Sequence, residues 1–312
     1  MNDDAEILRR IALAISAFRS DEAVIALLQA AFAPGQPRFG AVIVVDSLGS
    51  GAIERTASEQ GWAVSYYNAE RNLGSAGNLD LRMRAAASLG MEWCFASNHD
   101  GVVEVGKIAA LARHGRSRAR VGAVYPQLIF ARAGGRPDAA RRGFSSYGIL
   151  RRVKIEGGTA ESCTEVAWSS SNGALYNLDA VRDGAHVWPE LWMGYEDLAL
   201  GWEMQRRGWT QLLCADVTIA DSYEFSLVRL FGKDIHLAAK PSWYMYYQSR
   251  NLALIARRSK GAAVSGPSVA LRTVVDIGLI LLFRDRKAER LRLLLTGLRD
   301  GLRNTSGKGP VP

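Results

Sequence analysis

Through the first 124 residues, short apolar runs of strand length alternate with segments of helical period, and that alternation leaves few folds open. The runs 11–17, 41–45, 63–67, 93–97 and 121–124 read as strands. Segments 21–32, 52–60, 78–89 and 105–114 read as helices, with the breaker Pro34-Gly35-Gln36-Pro37 after the first. Strand, helix, strand in repetition is the βαβ pattern, which builds a mainly parallel, Rossmann-like sheet covered by helices. With 312 residues, 48% of them hydrophobic, the chain can bury a full core, so the expected fold class is α/β.

The second half is less regular. Residues 131–164 are rich in Gly, Arg and Ser and predict an irregular hairpin or mobile loop. Order returns with alternation over 165–177, a helix over 196–207 stopped by Gly208, and two short strands at 211–214 and 217–220. Helices follow over 243–258, 269–283 and 285–303, with Pro267 as a boundary. The expected division is a nucleotide-binding catalytic domain over 1–240 and a helical appendage over 241–312.

A net charge of +8 and a pI near 9.6 favour anionic partners, which include nucleotides, nucleic acids and acidic lipid headgroups. No nucleic-acid-binding motif is visible, so nucleic acid is not expected. Cys94, Cys163 and Cys214 are odd in number and far apart; they form no CxxC pair or His/Cys metal pattern, and a reducing, cytosolic setting is expected. The acidic start and the short run 11–17 predict no cleavable targeting segment. The apolar stretch 273–283 is shorter than the ~20 residues of a spanning helix and contains Asp276, so contact with a membrane is expected without crossing.

In open parallel sheets ligands bind beyond the carboxyl ends of the strands, and polar residues gather there in this sequence. Asp46 ends the second strand, where a carboxylate can accept from a base or ribose, or cap the next helix. Arg71-Asn72-Leu73-Gly74-Ser75-Ala76-Gly77-Asn78 follows the third, and its glycines let backbone N–H groups approach a pyrophosphate. Asn98-His99-Asp100 ends the fourth and offers oxygen ligands to a hard divalent cation. Glu196 and Asp197 open a later helix, where the macrodipole favours carboxylates and a general base can stand, although acidic residues at helix starts are common without one.

In this order the motifs resemble those of family 2 glycosyltransferases of the GT-A fold, especially rhamnosyl- and galactofuranosyltransferase-like members, over residues 9–258. The resemblance implies that Asp46 contacts the nucleoside and that Arg71, Asn72, Gly74, Gly77, Asn78, Asn98 and His99 surround the donor. It makes Asp100 the metal ligand of a DXD-like motif whose first acid is Asn98 here. Ser171, Asn172 and Gly173, with Trp192, Gly194 and Tyr195, would line the sugar and acceptor pocket, and Asp197, beside Glu196, would be the catalytic base. Relatives complete the metal site with a His after the final strands. Asp221 stands at about that place, with His236 as a second candidate that reads more readily as an exposed helical residue. Tyr246-Tyr247-Gln248-Ser249-Arg250-Asn251 is similar to the family's Tyr-x-x-Arg-Asn helix, which would turn Arg250 toward a diphosphate, while the tyrosines read equally as those of an aromatic-rich helix packing on the catalytic domain.

In the tail, Leu291, Leu294, Leu295, Leu298 and Leu302 share one helical face amid arginines, a pattern suited to an anionic membrane surface or to packing on the domain or a partner subunit. A homo-oligomer is left open. The resemblance implies inverting, Mg2+- or Mn2+-dependent transfer of galactofuranose or rhamnose from a UDP- or dTDP-sugar to a polyprenyl-diphosphate-linked glycan. That would be cell-envelope polysaccharide synthesis, at the cytoplasmic face of the membrane. Another Rossmann-like nucleotide enzyme, such as a nucleotidyltransferase, and a non-catalytic membrane-binding module are the rival readings.

Overall fold

The computed structural model describes residues 2–130, 138–140, 143–144, 146–147, 163–221, 225–230 and 232–309. Its first half runs α1 (Asn2–Leu8), β1 (Ile11–Ala17), α2 (Asp21–Ala31), β2 (Ala41–Asp46), α3 (Ala52–Glu59), β3 (Ser65–Asn68), α4 (Gly74–Ser88), β4 (Trp93–Ser97), α5 (Val105–Arg116) and β5 (Val121–Phe130). Next come β6 (Asp138–Ala140), β7 (Cys163–Glu165), β8 (Ala174–Asn177), α6 (Leu178–Arg182), α7 (Glu196–Gln205), β9 (Thr210–Asp221), β10 (Phe225–Leu230) and β11 (Lys233–Ala238). Three helices close the chain, α8 (Tyr244–Arg258), α9 (Gly266–Phe283) and α10 (Lys287–Leu302).

Nine strands form one sheet in the order β3-β2-β1-β4-β8-β5-β9-β7, with β6 on the far part of β5, and β10 and β11 form a separate antiparallel hairpin. β3, β2, β1 and β4 are parallel; β8 enters antiparallel between β4 and β5, and β9 runs parallel to β5. The fold is therefore the α/β arrangement with a mainly parallel sheet that the sequence predicts. β1 is apolar throughout because both its faces are covered. Ile11, Leu13 and Ile15 pack toward α2 and α5, while Ala12 and Ala14 leave room for Leu79 and Met83 of α4 on the other side.

Some boundaries differ from expectation. α4 starts at Gly74 rather than near residue 78, so the glycine-rich segment is the helix's first turn. The two strands expected at 211–214 and 217–220 are one strand, β9, with a bulge where pairing jumps from Pro126–Cys214 to Gln127–Thr218. The loop expected over 131–164 lies largely outside the described residues. His236 sits on strand β11, opposite Leu227, and not on a helix. The cysteines are not all separate: β7 and β9 pair antiparallel with Cys163 opposite Cys214, and the two form a disulfide. Cys94 alone is free, and burial pushes its thiol up to about 12.

The tail departs further. α10 lies tightly on α8, since a Cβ at Gly297 or Gly301 would overlap the carbonyl of Tyr246 or Arg250. Leu293 and Leu294 join Met245, Tyr246, Tyr247, Ile280 and Trp192 in a core cluster, which leaves Leu295 and Leu302 exposed. The α10 leucines thus largely pack on the protein. The longer apolar surface belongs to α9. Ser265 caps this helix, accepting from Ser268 N at 3.3 Å, and Pro267 stands in its first turn. It reaches 18 residues with a mean hydropathy of 1.6, long and apolar enough to cross a membrane by length and composition. Val269, Asp276 and Ile280 face inward, whereas Leu271, Val274, Leu281 and Leu282 are exposed.

Candidate active site

The carboxyl ends of β1, β2, β4 and β9 meet at one edge of the sheet, and the loop before β8 ties them together. Gly173 N donates to Ala96 O at 2.8 Å, which docks this loop against β4, and Gly173 has a left-handed φ of 73°. The preceding residue, Asn172, is buried between two strand ends. Its Oδ1 accepts from Asn98 N at 3.1 Å and its Nδ2 donates to Asp221 Oδ1 at 3.3 Å. Ser16 Oγ donates to Asn98 Oδ1 at 3.4 Å from the end of β1. Asp221 is 8% exposed, whereas Asp100 lies open to solvent two residues beyond Asn98.

Asp100, Asp221, Asn98 and Asn172 contribute hard oxygen atoms. A Mg2+ or Mn2+ ion commonly takes one or two protein carboxylates and completes its shell with substrate phosphates and water. The donor set, two carboxylates and two amide oxygens, fits such an ion. His236 has been carried onto the separate β10–β11 hairpin.

Asp46, at the end of β2, is fully buried. Tyr66 Oη donates to its Oδ2 at 2.9 Å and Leu48 N to its Oδ1 at 3.2 Å. Burial and this hydrogen bond push Tyr66 well above the ordinary tyrosine range and keep it a donor. Tyr66 thus shares the strand-end position with Asp46, and sequence reasoning did not single out that residue.

The glycine-rich segment is locked to the loop before α7. Asn72 Oδ1 accepts from Gly74 N at 2.9 Å, Trp192 Nε1 donates to Asn72 O at 3.3 Å, and Ala76 N donates to Trp192 O at 3.1 Å. Gly74 has φ +66°, and a Cβ there would overlap the Trp192 carbonyl. Gly77 lies in the first turn of α4, Arg71 is exposed just before it, and Asn78 is buried with Nδ2 donating to Val45 O at 2.9 Å. One turn on, Arg82 is buried too. Its Nη1 donates to Ala14 O at 2.9 Å and Ser97 O at 3.0 Å, which clamps β1 to β4. Asn78 and Arg82, four residues apart on the buried face of α4, were the available signal for this clamp.

Trp192, Gly194 and Tyr195 all have positive φ, 58°, 83° and 62°, so the chain turns sharply into α7. Asn251 holds this turn by donating from Nδ2 to the carbonyls of Leu191, Met193 and Gly194 at 2.9, 2.8 and 2.8 Å. Arg250 is fully buried beside it. Its Nη2 donates to Leu191 O at 2.7 Å, its Nη1 to Gly307 O at 2.5 Å and its Nε to Asn251 Oδ1 at 2.9 Å, while the guanidinium lies over Tyr247. Three of its five N–H groups thus go to protein oxygens, and Arg250, which the resemblance turns toward a diphosphate, positions the loop.

The turn delivers two carboxylates to the start of α7. Glu196 is buried, and burial pushes its carboxyl above the usual range against hydrogen bonds from its own N–H, Ser75 and the Gly194 backbone. Its Oε2 has no hydrogen-bond partner among the described residues. Asp197 is half-buried, accepts from Leu198 N at 2.9 Å, and lies close enough to Tyr125 and Tyr176 to help hold their hydroxyls protonated. Ser171 stands half-buried at the loop before β8. The arrangement offers a cation-compatible oxygen cluster and a carboxylate suited to take a proton.

No family model and no curated protein matches this chain. Solved structures do. S. aureus TarS, residues 1–349, superposes with a TM-score of 0.59 at 11% identity, over 94% of this chain and 81% of that one. The mannosyltransferase PcManGT from Pyrobaculum calidifontis, in complex with GDP-Man and Mn2+, gives 0.52 at 16% identity over 96% and 76%. GalNAc-T7 with UDP, GalNAc and Mn2+ gives 0.52 at 14% identity over 92% and 54%. The chain has the GT-A fold of glycosyltransferases.

Proposed function

We propose that this chain transfers a sugar from a nucleotide-sugar donor to an acceptor hydroxyl, with inversion at the anomeric carbon and without a covalent enzyme intermediate. The observation that carries the reading is the Asn172 bridge, which joins the ends of β4 and β9 beside Asp100 and Asp221. The nucleotide sugars and Mn2+ bound by the similar structures support it.

In this reading Asp46 and Tyr66 receive the nucleoside, and the glycine-rich segment 71–78 lies beside the diphosphate. Asp100 and Asp221 hold Mg2+ or Mn2+, which when bound supplies positive charge against the departing nucleoside diphosphate. Asp197 takes the proton from the acceptor hydroxyl as it attacks. Ser171, Gly173 and the Trp192–Tyr195 turn shape the space for sugar and acceptor.

The finer assignment is galactofuranose or rhamnose on UDP or dTDP, delivered to a polyprenyl-diphosphate-linked glycan of the cell envelope, at the cytoplasmic face of the membrane. Region 241–312 makes the membrane contact through the exposed side of α9. Lying in the interface suits this helix better than crossing, because its inward face carries the Arg272–Asp276 ion pair, 2.8 Å apart, which would sit in hydrocarbon if the helix spanned.

Calorimetric titration with a panel of UDP-, dTDP- and GDP-sugars, with and without Mg2+ or Mn2+, tests the core of the proposal. Metal-dependent binding of one donor class is expected. Absence of binding across the panel would overturn it.

A further inference from the structure

A second cluster of metal-binding side chains lies on the other side of the sheet, against α5. His114 stands in the last turn of α5, Cys163 on edge strand β7, Cys214 opposite it on β9, and Asp216 at the β9 bulge. Their candidate ligand atoms, one from each residue, all lie within 4.8 Å of one another, and this is the sole group of three or more His, Cys, Asp or Glu side chains so arranged among the described residues. His114 Nε2 is 2.8 Å from Asp216 Oδ2.

The strand geometry explains the convergence. Leu212 and Cys214 point into the core on the α5 side, and beyond the bulge Val217 and Ile219 resume that role. Asp216 falls in the interruption and meets His114 at the surface. Cys214 is buried, His114 half-buried and Asp216 exposed, so the cluster has an apolar floor and a mouth open to water.

We propose that in the dithiol form these four residues bind one zinc-class divalent cation, and that the Cys163–Cys214 disulfide is the metal-free form of the same site. Two thiolates, an imidazole nitrogen and a carboxylate oxygen make a four-coordinate set of the kind zinc takes. Ligand atoms of a tetrahedral zinc shell are about 3.3–3.8 Å apart, given Zn–S near 2.3 Å and Zn–N near 2.0 Å. Breaking the S–S bond and moving side chains by about an ångström reaches that spacing without repairing any strand. Binding releases the two thiol protons. A low-molecular-weight disulfide reverses it: the two thiolates give two electrons to that disulfide and join as Cys163–Cys214, two protons from water convert it to two thiols, and the cation leaves.

The site is separate from the Asp100–Asp221 edge, so it is tested in full-length protein carrying Asp100→Ala to weaken binding there. The protein is reduced with a phosphine, freed of metal with a chelator, and titrated with Co2+ under absorption spectroscopy. One equivalent should produce a thiolate-to-cobalt charge-transfer band that Zn2+ then bleaches, and the disulfide form should give none. His114→Ala and Asp216→Ala, both at the mouth, should each weaken binding tenfold or more while keeping the band, and Cys214→Ser should change or abolish it. No thiolate band from reduced, folded protein overturns the proposal. So does unchanged affinity in the His114→Ala/Asp216→Ala double variant, or equal binding by the disulfide form.

Discussion

Asn172 Nδ2 donates to Asp221 Oδ1 at 3.3 Å while the same side chain accepts from the backbone of Asn98, so one amide sets the spacing between the ends of β4 and β9. Asn172→Ala should weaken Mn2+-dependent donor binding by roughly 10–100-fold, the usual cost of losing a residue that orients a metal ligand. Metal-free nucleotide binding should hold. Asp100→Ala should remove the metal dependence itself. Calorimetry with and without Mn2+ separates the two.

Asp197→Asn keeps the size of the side chain and removes its basicity. Turnover should fall by roughly 10²–10⁴-fold, with donor affinity unchanged, as for loss of a general base. Full activity in this variant would remove the assigned mechanism.

Glu196 supplies a pH signature. Its folded-state pKa stands above the unfolded value because the carboxyl is buried. The stability it contributes is complete below the ordinary glutamate value of about 4.3 and is lost as pH climbs to the raised one. Thermal denaturation should show the melting temperature of the parent falling through that window. Glu196→Gln should flatten the slope and raise stability at pH 8.

Gly74→Ala places a side chain at φ +66° against the Trp192 carbonyl. The strain should cost about 1–3 kcal/mol, read as a lower denaturation midpoint. Gly106→Ala on α5, where a Cβ meets nothing within 4 Å, should be neutral or stabilising.

Leu271→Glu with Val274→Glu alters only residues that are more than half exposed on α9, at 53% and 66%. Co-sedimentation with anionic vesicles should drop at least tenfold, since each apolar side chain buried contributes about 1.5–3 kcal/mol. Melting should be unchanged.

The strand ends at the candidate site were legible in the sequence, because β1, β2 and β4 are apolar runs that end in polar residues. What escaped depended on contacts between distant segments. α4 starts at Gly74, against glycine's low helix propensity, because Asn72 Oδ1 and Trp192 O take its first N–H groups. Cys163 and Cys214 are 51 residues apart, and only the β7–β9 register makes them neighbours. Tyr-x-x-Arg-Asn does not specify the loop contacts of Arg250, because its acceptors on Leu191 and Gly307 lie 59 and 57 residues away. Pro267 marks the α9 boundary in the sequence, and the Ser265 cap carries the helix back to Gly266.

The fastening of Asn72, Gly74 and Ala76 to Trp192, with Gly194 N donating to Ser75 Oγ at 3.4 Å, has a practical consequence for engineering. Segments 72–76 and 191–197 form a single exchangeable cassette. A chimera that imports another enzyme's turn alone would keep Asn72, Gly74 and Ala76 but lose the Trp192 carbonyl and indole that they fasten to, so the two segments have to be transplanted as a matched pair.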